Sequence, residues 1–123
     1  MPVGVDTGFF YLVRDGHPEA LRILREEAVI TSAIVVYELQ RHILKGAFVD
    51  GILERSVDVI SLNAGMAKKA ARIAHTFGMH TLDALILSSL VEAGCKKIYS
   101  GDPHFEKFKE KNIKVIRLKK SDS

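Results

Sequence analysis

The stretch Lys97-Ile98-Tyr99-Ser100-Gly101-Asp102-Pro103-His104-Phe105 decides how this sequence folds. A short apolar run ends in a hydroxyl, a glycine and an aspartate, and Pro103 then stands where a helix opens. Proline is favoured at the first helical position and aspartate just before it, so the segment reads as a strand turning directly into a helix with Asp102 as N-cap. The same punctuation occurs at the start of the chain, where Val3-Gly4-Val5 ends at Asp6 ahead of a helical pattern from Thr7 to Val13.

Working outward, Gly16-His17-Pro18 breaks that first helix and Pro18 opens a second one, with Ala20, Leu21 and Leu24 at helical spacing. Ala28-Val29-Ile30 is a second strand, and Ser32 caps a helix from Ala33 to about Lys45 that stops near Gly46. Phe48 to Leu53 is a shorter helix, with Gly51 an awkward residue at its middle. Val57-Asp58-Val59-Ile60 is the third strand. Asn63 caps a long helix through Phe77, ended by Gly78, and a sixth helix runs from Thr81 to Ala93, ended by Gly94. After the Ile98-Tyr99 strand come an expected helix from Pro103 to about Lys111 and a last strand, Lys114 to Leu118.

Short strands separated by helical segments imply a parallel sheet covered by helices on both faces, since parallel strands need crossover connections. The expectation is an α/β fold with about five strands, forming one domain over residues 1–123. At 123 residues, 47% hydrophobic and 27% charged, the chain is long enough to bury a real core. The N-terminus lacks the basic start and long apolar stretch of a signal peptide, and no apolar run reaches membrane-spanning length, which predicts a soluble, cytoplasmic protein. A single cysteine, Cys95, excludes an internal disulfide and argues against a thiolate zinc site.

The net charge of +3 is unevenly distributed: residues 1–95 carry nine Lys/Arg against eleven Asp/Glu, and residues 96–123 carry nine against four. A basic C-terminal quarter attracts polyanions, RNA among them, although a solvated surface gives the same pattern. Lys68, Lys69 and Arg72 form a second basic stripe that reads as a solvated helix face.

In open α/β sheets, sites form beyond the carboxyl ends of the strands. Asp6 ends the first strand and Asp102 the fourth, so if those strands are neighbours two carboxylates share one mouth. Glu38 lies one turn inside the helix after strand two, in an apolar stretch. Asp83 carries Ile86, Leu87 and Leu90 on its own helix face. Capping explains Asp6, Asp102 and Asp83 one at a time. Four carboxylates at one rim, however, raise one another's pKa and call for a positive partner, which hard oxygen ligands find in Mg²⁺ or Mn²⁺.

Val5-Asp6-Thr7, Val36-Tyr37-Glu38-Leu39, Thr81-Leu82-Asp83-Ala84 and Ser100-Gly101-Asp102-Pro103-His104-Phe105 together resemble, in order and spacing, the four acidic motifs of PIN-domain ribonucleases. In size the chain is most similar to the VapC toxins of prokaryotic toxin–antitoxin pairs. The resemblance implies a three-layer α/β/α sandwich, a homodimer, an RNA substrate cut with Mg²⁺ or Mn²⁺, and a VapB-like antitoxin whose arginine enters the acidic groove. It implies Asp6, Glu38, Asp83 and Asp102 as catalytic and metal-binding acids, supported by Thr7 and Ser100. Many relatives carry a further acid where this chain has His104, which leaves a second metal in doubt and makes His104 a candidate for phosphate contact or proton donation. Arg41, one turn beyond Glu38, is a candidate for substrate phosphate or for pairing with Glu38.

Other nucleotide chemistries fail on residues. There is no G-x-G-x-x-G after the first strand and no G-x-x-x-x-G-K-[ST] anywhere. A haloacid-dehalogenase-type phosphatase wants a second aspartate two after the first, where this chain has Gly8. Within the resemblance, a nuclease of ribosomal RNA processing or decay stands beside the toxin; outside it stands a PIN-like scaffold that binds RNA or protein without cutting.

Overall fold

The computed structural model describes residues 2–41, 46–54 and 57–120. The elements run β1 (Val3–Val5), α1 (Thr7–Arg14), α2 (Pro18–Glu26), β2 (Val29–Ser32), α3 (Ala33–Arg41), α4 (Gly46–Glu54), β3 (Val57–Ile60), α5 (Ala64–Phe77), α6 (Thr81–Glu92), β4 (Lys97–Ser100), a 3₁₀ turn (Pro103–Lys107) and β5 (Lys114–Arg117). The five strands form one sheet in the order β3-β2-β1-β4-β5, with every pairing parallel. This is the expected three-layer α/β/α sandwich: all three β1 residues and all four of β2 are buried, so helices cover both faces of the central strands.

The topology has a switch point. From β1 the chain builds outward through β2 to β3, then crosses back to β4 on the other flank of β1 and continues to β5. Gly4 pairs with Ile98 and Val5 with Tyr99, so the carboxyl ends of β1 and β4 lie side by side. The conditional neighbour relation between Asp6 and Asp102 is thereby met.

Local chemistry fixes the element ends. The Asn63 side chain accepts from the Met66 amide at 2.9 Å, and Gly78 ends α5 at φ +64, a left-handed conformation open to glycine. α6 is buried at Ala84, Ile86, Leu87, Ser88, Ser89 and Leu90 and packs against α5 and β2. Its two serines would burden such a face unless bonded: Ser88 Oγ donates to the Met66 carbonyl at 2.6 Å and Ser89 Oγ to the Leu85 carbonyl at 2.9 Å. Phe9 and Phe10 are fully buried, edge to face at 5.4 Å, which makes them core residues of this chain.

Two expectations change. The segment after β4 is a 3₁₀ turn ending at Lys107, not a helix to Lys111. Phe105 and Phe108 are both buried, and Phe108 takes an extended conformation (φ −75, ψ 120) that turns the chain toward β5 through a left-handed Asn112. Tyr37 is 53% exposed, so the stretch around Glu38 does face water on one side. The fourth helix begins at Gly46, and the expected end of the third at Lys45 lies outside the described residues.

Candidate active site

Asp6 stands at the carboxyl end of β1, 1% exposed. Its Oδ1 accepts from the Phe9 amide at 2.9 Å, the N-cap bond of α1, and from the Gly101 amide at 3.2 Å; its Oδ2 accepts from Ser100 Oγ at 2.5 Å. One carboxylate thus ties the start of α1 to the end of β4. Burial pushes its pKa up to about 6; the bonds from Ser100, Phe9 and Gly101 pull the other way, and the Asp102 charge adds to the rise. Ser100 is fully buried, and its Oγ also accepts from the Asp102 amide at 2.9 Å.

The two junctions meet backbone to backbone. A Cβ on Gly101 would lie 2.7 Å from the carbonyl carbon and oxygen of Gly8. Only glycine permits that approach.

Glu38 comes from the middle of α3 and is half-buried; the Thr7 hydroxyl donates to its Oε1 at 2.6 Å. Asp83, in the first turn of α6, is also half-buried. Its pKa is raised first by burial, then by the negative charges of Asp102 and Glu38, with His80 and His104 acting in the opposite direction. Asp102 caps the 3₁₀ turn: its Oδ1 accepts from the His104 amide at 2.9 Å and lies 3.0 Å from His104 Nδ1. The capping accounts of Asp6 and Asp102 are therefore correct and do not compete with a site.

The four acids line one cleft of about 410 Å³ together with Thr7 and Tyr11. Among the described residues, one group offers ligand atoms all within 4.8 Å of one another: Asp83, Asp102 and His104. Two carboxylates, Asp83 and Asp102, with an imidazole at the rim are a donor set that fits a hard divalent cation. Asp6 and Glu38 are in the cleft but outside that group. Arg41 ends α3, exposed, and is not among the residues lining the cleft.

Sequence reasoning passed over Tyr11 and the Gly8–Gly101 contact. The glycine signal was present as Asp6-Thr7-Gly8 and Ser100-Gly101-Asp102, a glycine beside the acid at both strand ends. Tyr11 gave none, since an aromatic in an apolar helix reads as core.

A PIN domain model matches residues 3–111. No curated protein matches the chain. Several solved structures share the fold, among them the following three. VapBC2 from Rickettsia felis bound to a DNA fragment from its promoter is 16% identical, with TM-score 0.74 over 96% of this chain and 99% of that one. A toxin–antitoxin complex from Klebsiella pneumoniae is 14% identical, with TM-score 0.64 over 81% and 86%. Mycobacterium tuberculosis VapC20, a sarcin-ricin loop cleaving toxin, is 22% identical, with TM-score 0.66 over 85% and 92%.

Proposed function

The chain belongs to the PIN-domain family, and on that premise we propose that residues 1–123 form a single-domain endoribonuclease that hydrolyses RNA phosphodiester bonds with Mg²⁺ or Mn²⁺. The observation that carries this is the convergence of Asp6, Glu38, Asp83 and Asp102, from four separate segments, on one cleft. Asp83, Asp102 and His104 are the residues whose ligand atoms lie close enough to share a cation, with Asp6 and Glu38 completing the acidic wall. When bound, a divalent cation neutralises charge on the phosphoryl group and acidifies water.

The chain's own groups divide the remaining work. Glu38, oriented by the Thr7 hydroxyl, takes a proton from the attacking water as its oxygen bonds to phosphorus. Asp6 positions: through Ser100 and Gly101 it fixes the loop that presents Asp102. His104, 68% exposed beside Asp102, completes the donor set at the rim, and the leaving oxygen takes its proton from solvent water as the phosphorus–oxygen bond breaks. The solved relatives named above are toxins or toxin–antitoxin complexes, which supports a toxin role with a VapB-like antitoxin as partner; a homodimer is the working state we propose with it.

The test is incubation of structured and unstructured RNAs with the purified protein in Mg²⁺, Mn²⁺ or EDTA, beside Asp83→Asn. Metal-dependent cutting that the variant loses is the expected result. Folded, antitoxin-free protein that cuts under no condition would leave a binding scaffold instead.

A further inference from the structure

The catalytic cleft is not the only hollow on this side of the molecule. A second one, about 490 Å³, is separated from it by Gly8 and Tyr11, which line both. Its charged lining is Arg14, Arg117, Lys119 and Lys120 against the single acid Asp15. Acids therefore fill one side of the Gly8–Tyr11 divide and cations the other.

We propose that this basic hollow binds the phosphates of single-stranded RNA flanking the bond held in the acidic cleft. The proposal rests on the nuclease reading and adds to it where the strand runs. Neither long cation at the wall is fully committed within the chain. Arg14 meets Asp15 at 3.0 Å and lies over the Tyr11 ring at 5.0 Å, while Arg117 reaches Glu106 only at 3.5 Å, all in exposed surroundings where such pairs exchange readily for phosphate. A single strand passing Tyr11 also gains an aromatic and a guanidinium plane on which bases stack.

The hollow is held in shape from below. The Ala20 amide donates to His17 Nδ1 at 3.2 Å, so His17 Nε2 carries the proton and donates to the Lys119 carbonyl at 2.7 Å. The segment beyond β5 is thereby pinned to the start of α2, with its lysines at the groove. Lysine and arginine on β5 also guard an open sheet edge against pairing, which accounts for Lys114 and Arg117. Lys119 and Lys120 lie past the strand and have no edge to guard.

The experiment is fluorescence anisotropy of labelled dodecauridylate with the full chain in EDTA, across a KCl series, so that binding is read without cleavage. Each phosphate contact from a single strand contributes about 0.7 to the log–log salt slope. Lys119→Gln/Lys120→Gln and Arg14→Gln/Arg117→Gln should each flatten the slope by about 1.4 and weaken binding at least several-fold. Lys68→Gln/Arg72→Gln, which removes the same charge from exposed positions on α5, should leave the slope unchanged. Equal slopes in groove and control variants would overturn the proposal, as would tighter groove-dependent binding of a twelve-residue polyglutamate than of the RNA, which would assign the hollow to an acidic protein segment. Failure of the nuclease reading would show separately, as absence of cutting by the unmodified protein in Mg²⁺ or Mn²⁺.

Discussion

Asp6 concentrates the cost of the site in one carboxylate. Its pKa stands near 6 in the folded chain against an ordinary 3.8, so between those values the folded state holds more proton than the unfolded one. Stability therefore falls as pH rises through about 4 to 6 and levels off above, a loss of up to about 3 kcal/mol. Asp6→Asn removes the buried charge and keeps the bonding: Oδ1 can still accept from Phe9 and Gly101, while the new amide can donate to Ser100 Oγ, whose own proton can turn to the Asp102 carbonyl at 3.0 Å. The variant should be more stable than the parent by about 1–3 kcal/mol at pH 7.5 in EDTA, flatter in pH, and inactive. Urea unfolding from pH 4 to 8 checks it; parallel pH curves would show that Asp6 is not the costly group. Ser100→Ala acts in the opposite direction, leaving Oδ2 and the Asp102 amide without their partner, at about 1–3 kcal/mol. At this scale the sequence was informative about acids and silent about Ser100's depth, because which hydroxyl lies behind a carboxylate depends on strand pairing.

Among the elements, legibility followed how local the deciding chemistry is. The ends of α5 were readable at Asn63 and Gly78 because a cap and a left-handed glycine act within four residues. The helix expected from Pro103 failed at its end, since Asp102 and Pro103 are local start signals but the stop comes from Phe105 and Phe108 both seeking the core. His17 shows the same limit: within Gly16-His17-Pro18 it reads as a breaker, yet it caps α2 and anchors a carbonyl 102 residues away. The Gly8–Gly101 contact is the element-scale joint of the site. Gly101→Ala would force α1 away from the end of β4, since neither backbone can give way at 2.7 Å. The expected result is a loss of about 1–3 kcal/mol in stability and a fall in cleavage of about 100-fold, checked by thermal unfolding and single-turnover rates. Loss of cleavage without loss of stability would mean that the joint positions the acids at no cost to the fold.

For the whole molecule, the sheet order does what no single motif does. β1, β2 and β3 grow one way and β4 and β5 the other, and that reversal leaves the crevice beside β1 into which α3 and α6 bring Glu38 and Asp83. Helix and strand alternation announced the parallel sheet; the order of its strands was open, because each helical crossover can land on either flank. The gathered acids then make the stability of the entire chain answer to divalent cations. A ligand that binds only the folded state adds about 2.7 kcal/mol at a hundredfold excess over its Kd, on the order of 10 °C in melting temperature for a chain of this size. Mg²⁺ or Mn²⁺ should raise the melting temperature at pH 8 and do so less at pH 5.5, where protons compete with the cation for the Asp83 carboxylate, whose pKa burial and the neighbouring charges raise, and where Asp6, at about 6, is partly neutral and leaves the cleft less negative. NaCl at matched ionic strength should not reproduce the shift, and Asp83→Asn should remove most of it while leaving the melting temperature in EDTA equal or higher. A shift that is identical at both pH values, or that survives in Asp83→Asn, would place the cation elsewhere on the surface and separate the acidic cleft from metal binding.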